Sequence, residues 1–242
     1  MTGDNMNKIP LFYTYPPVQY DYVLRNIKQK PLPCKHEIVD IGVYELLKDP
    51  YSKTTLQKFV KLKTDGLKVV PDYPDIFKEH GIENMNIDNV LRSKLLMKKY
   101  YNPKDKTQMP VIQGYYNSPN SFVDYAEWFL DNYIVNTDVV IGVGTLCKNS
   151  DKKTMKAVLK NIREIFPNNK LHAFGLSIRY ITELFEYLDS FDTTAWTFPR
   201  TPGLPSAKNK KMRIQYFHDY IDDYNKKKKI IENQLSLNKW QE

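Results

Sequence analysis

The sequence has few cysteines and no long apolar run, and each absence excludes a class of protein. Only Cys34 and Cys147 occur among the 242 residues, which excludes a fold built on disulfide bonds and favours a reducing compartment. Residues 1–8 contain no apolar signal segment, and the most apolar run, 139–144, is too short to cross a membrane. We therefore expect a soluble, cytoplasmic protein without a membrane partner.

The composition is that of an ordinary folded domain with a basic surface. Apolar residues make up 41% of the chain and charged residues 26%, which excludes an intrinsically disordered protein. Lysine and arginine total 36 against 28 aspartates and glutamates, so the net charge is +8. This excess favours a polyanionic partner, although many basic proteins bind none.

Seven β-rich runs alternate with helix-patterned segments, which predicts an α/β fold with a parallel sheet. The runs show little alternation of polar and apolar residues, as expected of parallel strands buried on both faces. Strand ends near Asp40, Asp72, Gln113, Gly142 and Gly175 are separated by 32, 41, 29 and 33 residues, which suits βα units of about 30 residues. The predicted strands are 11–15, 37–43, 67–72, 109–115, 138–145, 170–176 and 191–196.

The chain length and the spacing favour a (β/α)8 TIM barrel over residues 1–205. A doubly wound open sheet is the rival fold, but it favours a G-x-G-x-x-G motif that this sequence lacks. The eighth strand must lie within 16–30, or the barrel is incomplete. Amphipathic helices are expected after residues 52–54, 118–119 and 150–151, where capping residues stand. Residues 206–242 are expected to form a basic, helical C-terminal extension of the same domain.

Polar residues stand at the carboxyl ends of the predicted strands, where barrel enzymes carry their active sites. Asp40, Asp72 and Asp192 each end a buried run, and Gln113 has the same place in another. A single aspartate after a strand often only caps the next helix. Three carboxylates and an amide on one rim predict a functional site instead.

Six short motifs between about residue 37 and residue 200 resemble, in the same order, those of the tRNA-guanine transglycosylases. The resemblance is closest to the branch of that family that acts on DNA. It implies a TIM barrel that exchanges a guanine in a nucleic acid for a 7-deazaguanine without cutting the backbone. The motifs are VDIGVYEL, VVPDYPD, VIQG, IGVGTLCK, LHAFGLS and SFDTTAW.

The resemblance implies a role for each polar residue on the rim. Asp192 matches the nucleophile that attacks the sugar C1′, and Asp40 matches the carboxylate that transfers protons to and from the bases. Asp72 and the side-chain carbonyl of Gln113 match the acceptors for the N1–H and N2–H₂ edge of guanine. The other base-binding residues implied are the backbone donors Val143 and Gly144, the glycines Gly114 and Gly175, and the stacking residues Tyr44 and Phe174.

The resemblance also implies the partners of the protein. We expect a nucleic acid, with DNA slightly favoured over tRNA, and Lys148 and Arg200 as contacts to its phosphates. The second substrate is a 7-deazaguanine base such as preQ0, and a homodimer is compatible with the prediction. For a viral protein the expected location is the host cytoplasm.

No cofactor and no metal are expected. The zinc site of the family needs three cysteines and one histidine, and the two cysteines and four histidines of this chain do not have the required spacing. Ile41 and Val43 replace the serine and the second glycine of the family's first motif, and we expect them to make the pocket more apolar.

Two other functions remain open at this point. One is a barrel of the same descent that binds nucleic acid or a purine without turnover, since Ile41 and the missing zinc site are changes expected of a repurposed relative. The other is a glycoside hydrolase, because paired carboxylates on a barrel rim also cleave sugars. No glutamate stands at a predicted strand end, which disfavours the hydrolase.

Overall fold

The protein is a mixed α/β structure, seen here as a computed structural model that describes residues 9–42, 53–75, 88–147, 151–197, 205 and 208–238. Its strands are β1 Leu11–Tyr13, β2 Tyr22–Asn26, β3 His36–Asp40, β4 Leu67–Val69, β5 Gln108–Met109, β6 Val111–Ile112, β7 Val140–Val143, β8 Lys170–Ala173 and β9 Ser190–Asp192. Its α-helices are α1 Lys53–Lys61, α2 Asn89–Tyr100, α3 Pro119–Asn132, α4 Lys152–Ile165, α5 Ile181–Leu184 and α6 Lys210–Asn238.

The strands form two parallel sheets, in the orders β2-β3-β4-β5 and β1-β9-β8-β7-β6. Pro110 alone separates β5 from β6, and its carbonyl accepts a hydrogen bond of 2.8 Å from the N–H of Gly142. At the other margins of the sheets, Thr14 forms a parallel bridge with Val23 of β2. The two sheets are therefore joined at both margins, by a continuous strand segment and by a bridge.

The first residues of two helices show why each helix begins where it does. The carboxylate of Asp151 accepts the N–H groups of Lys153 and Thr154 at the start of α4. Pro119 occupies the first turn of α3, where its missing N–H costs no hydrogen bond. Helices α1, α3 and α4 lie where the sequence pattern predicts them, whereas α2 was not predicted.

The structure locates the eighth predicted strand and shortens the last one. The eighth strand expected within 16–30 is β2, Tyr22–Asn26. The run 191–196, predicted as one strand, is only partly so: β9 ends at Asp192, and Ala195–Thr197 form a 3-10 turn. The Thr193 hydroxyl accepts the N–H of Ala195 at 3.1 Å, so a local side-chain bond replaces the strand pairing there.

Most of the core lies between the strands and the helices packed on them. Helix α6 is part of this core, because Phe217, Tyr220, Tyr224 and Ile231 are buried in its largest cluster. The Tyr224 hydroxyl donates to the carbonyl of Pro10 at 2.7 Å, which ties the helix to the start of β1. Among the helices that the structure describes, none combines the length and apolar character needed to cross a bilayer.

Candidate active site

A cavity of about 320 Å³ opens at the carboxyl ends of the strands. Each of the eight strand segments, counting β5 and β6 as one, contributes a lining residue from its carboxyl end or from the two positions after it. Seven of the predicted site residues line this cavity: Asp40, Asp72, Gln113, Gly144, Phe174, Gly175 and Asp192. The parallel direction of the strands explains the convergence, since Asp40 and Asp192 are 152 positions apart and each stands at the carboxyl end of its strand.

Asp192, the last residue of β9, is almost fully buried, with 1% of its surface exposed. The hydroxyl of Tyr15 donates to its Oδ2. Its Oδ1 accepts the Gly175 N–H at 3.3 Å and lies 3.1 Å from His172 Nε2. These partners replace the water that the carboxylate loses on burial, without which its burial would be strongly unfavourable.

Tyr15 and His172 are site residues that the sequence analysis missed. His172 is completely buried in β8, and its other ring nitrogen, Nδ1, lies 2.9 Å from the Ser190 hydroxyl, so the ring is held at both ends. The available signal was a histidine between the apolar residues Leu171 and Ala173 of a buried strand. Burial and the negative charge of Asp192 raise the pKa of Tyr15 well above its usual value, so its hydroxyl stays protonated and remains a donor.

Asp40 ends β3 and borders the same cavity. Its surroundings raise the pKa of the carboxyl to about 6, chiefly because the protein removes water from it. The negative charge of Asp192 acts in the same direction, and the backbone N–H groups of Gly42 and Ile41 oppose it. A carboxyl with a pKa near 6 can both give and take a proton at neutral pH.

Asp72, Gln113 and Thr145 form a buried hydrogen-bonded chain. The side-chain nitrogen of Gln113 donates to Asp72 Oδ2, and the Thr145 hydroxyl donates to Gln113 Oε1 at 2.7 Å. The pKa of Asp72 is raised to about 8, chiefly by burial and in addition by the negative charge of Asp40, while the bond from Gln113 acts against both. The Gln113 carbonyl, which the sequence predicts as an acceptor for the base, already accepts from Thr145, and one lone pair of that oxygen remains for a second bond.

The glycines of the site make room for other groups. The N–H of Gly144 donates to the Ile112 carbonyl at 3.0 Å, so its predicted role as a free donor to the base is wrong. A Cβ at Gly144 would lie 2.1 Å from Gln113 Nε2, which shows that this glycine leaves space for the amide. Gly175 has φ +70°, and a Cβ there would lie 2.4 Å from Cys147 Cβ.

Three other predictions differ from the structure. Val143 lies inside β7, where its carbonyl accepts the Phe174 N–H at 3.0 Å, and it is not among the described residues that line the cavity. Gly114 faces Phe122, since a Cβ would lie 2.2 Å from that ring. Ile41 is fully buried in a separate apolar cluster with Phe59 and Tyr73, so it does not make the cavity more apolar.

Phe174 does border the cavity, as expected of a stacking residue. Its ring lies 4.7 Å from that of His172 in an edge-on arrangement. Gly142 admits the ring, because a Cβ there would lie 2.7 Å from it. The predicted site residues Tyr44, Lys148 and Arg200, and Val43 of the first motif, lie outside the described residues.

A larger cavity of about 520 Å³ lies at the amino ends of β3 and β4. Its buried charges are already paired: Arg25 Nε donates to Glu37 Oε1 at 2.7 Å, and the Thr64 hydroxyl donates to Glu37 Oε2 at 3.0 Å. Because ligands of parallel α/β proteins bind beyond the carboxyl ends of the strands, the smaller cavity is the better candidate site.

Nothing in the described ranges forms a group of three or more histidine, cysteine or acidic side chains suited to hold a metal ion. Comparison with known proteins gives no family for the chain: no family model matches it, and no curated protein matches it.

Proposed function

We propose that the eight strand segments close into a (β/α)8 barrel and that the cavity at their carboxyl ends is the active site of a guanine transglycosylase. The observation that carries the proposal is the convergence of Asp40, Asp72, Gln113 and Asp192 from four strands on one cavity. Barrel closure is supported by the Thr14–Val23 bridge and by the single residue between β5 and β6. Active sites of barrel enzymes lie at this end of the strands.

The hydrogen-bonded chain at Gln113 favours a base that presents a carbonyl beside an N–H group. Gln113 Nε2 has a second hydrogen besides the one given to Asp72, and Asp72 Oδ1 is an acceptor in the ionised form of that carboxyl, which binding of a base with an N–H at this position favours over the protonated form. Guanine and 7-deazaguanine carry O6 next to N1–H, so the amide donates to O6 and the carboxylate accepts from N1–H. Adenine presents the opposite pattern at these two atoms.

The carboxylates support a covalent exchange in two steps. In the first, an Asp192 oxygen bonds to C1′ of the target nucleotide, and the bond from C1′ to N9 of guanine breaks. Asp40 supplies a proton to the departing guanine, which a carboxyl with a pKa of about 6 can do near neutral pH. In the second, N9 of the incoming base attacks C1′, Asp192 leaves as a carboxylate, and Asp40 takes the proton back.

The substrate we favour is a nucleic acid, with DNA slightly preferred to tRNA. The net charge of +8 supports a polyanion, and phosphate contacts supply most of the affinity of such complexes. Because the target base must leave its stack to reach a buried carboxylate, a single-stranded or mismatched guanine is expected to react faster than one in a perfect duplex.

The test is incorporation of labelled guanine into duplex DNA, single-stranded DNA and tRNA, with Asp192→Asn as the matched control. We expect label in a polymer with the natural chain and none with the variant. A denaturing gel would show a protein–nucleic acid adduct when the reaction is stopped early. Tight binding of guanine without incorporation into any polymer would contradict exchange and favour the binding protein without turnover.

A further inference from the structure

Thr145 adopts a backbone conformation that its side chain disfavours. It has φ +54°, in the left-handed region, and only 2% of its surface is exposed. A β-branched residue is rarely found there, because its Cβ and γ atoms crowd the backbone. Contacts of the threonine side chain must therefore offset a cost that glycine would avoid.

The contacts of the Thr145 hydroxyl have a fixed direction. The backbone N–H of Asp75 is 3.2 Å from Oγ1 and can only donate, so Oγ1 accepts there. The same oxygen gives its single hydrogen to Gln113 Oε1, 2.7 Å away, so the amide oxygen faces Thr145. The nitrogen of Gln113 consequently faces Asp72.

We propose that Thr145 is a specificity-determining residue: by holding the Gln113 amide with its N–H₂ group towards the base, it selects bases with a carbonyl beside an N–H and rejects adenine. The proposal rests on the proposed function in that the cavity binds a purine. Thr145 acts through Gln113 and is a positioning residue.

The Gln113 amide can also adopt the opposite orientation, in which its oxygen and nitrogen exchange places. Thr145 disfavours that orientation. If the amide turns over, its oxygen faces Asp72, which can donate a proton to it because burial raises the pKa of that carboxyl to about 8. The turned amide leaves the Thr145 hydrogen without its acceptor in a buried site, which is unfavourable. Without the hydroxyl, both orientations become accessible, and the turned one accepts the amino group of adenine.

Three variants separate the hydroxyl from the backbone effect. Thr145→Val keeps the shape and loses the hydroxyl, Thr145→Ser keeps the hydroxyl, and Thr145→Gly loses it while adopting φ +54° without strain. Dissociation constants of guanine, adenine and 2-aminopurine, which lacks O6, are measured with each full-length protein. We expect the preference for guanine over the other two bases to fall about tenfold in Thr145→Val and Thr145→Gly and to persist in Thr145→Ser.

The outcomes distinguish this inference from the proposed function. Unchanged preference in both hydroxyl-free variants overturns the role of Thr145 and leaves the transglycosylase proposal intact. Altered preference without guanine exchange in any polymer supports Thr145 and overturns the transglycosylase. Failure of the natural protein to bind guanine overturns both. Should Thr145→Val not fold, the Thr145→Gly result decides alone.

Discussion

Three carboxyl groups border one small cavity, and they compensate for lost hydration in two ways. Asp192 has its lost hydration replaced by the Tyr15 hydroxyl, the Gly175 N–H and the His172 ring. Asp40 and Asp72 have raised pKa values, about 6 and about 8, because burial disfavours their charged forms. Groups with separated proton affinities are what an acid–base reaction in one site requires.

Asp192→Asn is expected to abolish exchange while leaving the fold intact. The asparagine oxygen can still accept from Gly175, so the local packing is retained, but an amide does not attack C1′. Loss of a covalent nucleophile costs on the order of 10⁴-fold or more in rate. The measurement is label incorporation beside the guanine dissociation constant; incorporation at the natural rate would refute the assignment of the nucleophile.

Asp72→Asn is expected to stabilise the protein and weaken guanine binding. The carboxyl has a pKa near 3.8 when unfolded and about 8 when folded, so the free energy of unfolding falls as pH rises from about 4 to 8. Asparagine does not titrate, so the variant gains little at pH 4 and about 1–3 kcal/mol at pH 8. Chemical denaturation at several pH values, together with calorimetry for guanine, tests both effects.

Asp105→Asn is the control for this pH dependence. Asp105 pairs with Lys68 at 2.7 Å, away from the cavity, and its removal is expected to destabilise the protein at neutral pH. A stability gain for Asp105→Asn equal to that of Asp72→Asn would show that the effect reflects net charge and not the burial of Asp72.

At the scale of the elements, the pattern of apolar runs predicted most strands because parallel strands are buried on both faces. Strand β2 was hidden by Arg25, a charge inside a strand whose burial depends on its ion pair with Glu37. Helix α2 escaped prediction because Leu91 and Leu95 are exposed and blur its apolar face. Both failures come from contacts with other parts of the chain, which a local pattern does not contain.

Part of the polar site could be predicted from the sequence, and the rest depends on contacts between distant residues. A polar residue that follows a buried apolar run can be recognised from its position, so Asp40, Asp72 and Asp192 could be found from the sequence. Tyr15 and Thr145 could not be found, because their roles depend on partners far along the chain: Tyr15 lies 177 positions from Asp192. The orientation of the Gln113 amide likewise involves distant partners, since it contacts Asp72 and Thr145.

Helix α6 is expected to be needed for the stability of the whole fold. Tyr220 is fully buried, and its ring lies 5.1 Å from Phe12 of β1. Tyr220→Ala removes this packing and leaves a void, which costs about 3–5 kcal/mol for a large aromatic residue. Ile230→Ala, on the same helix but 47% exposed, is the control and is expected to change the free energy of unfolding by less than about 1 kcal/mol. Equal effects of the two substitutions would show that α6 does not depend on its buried face.

At the scale of the molecule, the direction of α6 places two basic clusters at different distances from the cavity. Phe217 contacts Trp196 just beyond the end of β9, with ring centroids 5.9 Å apart, whereas Tyr224 bonds to Pro10 before β1. The helix therefore runs from the cavity end of the strands towards their amino ends. Lysines 208, 210 and 211 lie near the cavity end, and lysines 226, 228 and 229 lie beyond Tyr224.

We expect nucleic acid binding to depend steeply on salt and to use the cluster nearer the cavity. Each neutralised phosphate contributes a slope of about −0.9 in log K against log[salt] for duplex DNA. Replacing lysines 208, 210 and 211 with glutamate is expected to flatten that slope without changing which base is exchanged, since phosphate contacts set position and not sequence. The slope is measured by fluorescence anisotropy with a labelled duplex.

The matched control replaces lysines 226, 228 and 229 with glutamate, which changes the net charge by the same amount in the middle of the helix, farther from the cavity. If the nucleic acid contacts the surface near the cavity, this control is expected to flatten the slope of log K against log[salt] much less. Equal flattening by both triple variants would indicate attraction by overall charge instead of contact at the cavity end. Affinity for nucleic acid that does not depend on salt would contradict binding through phosphate contacts. Exchange in folded tRNA with none in any DNA would contradict the preference for DNA.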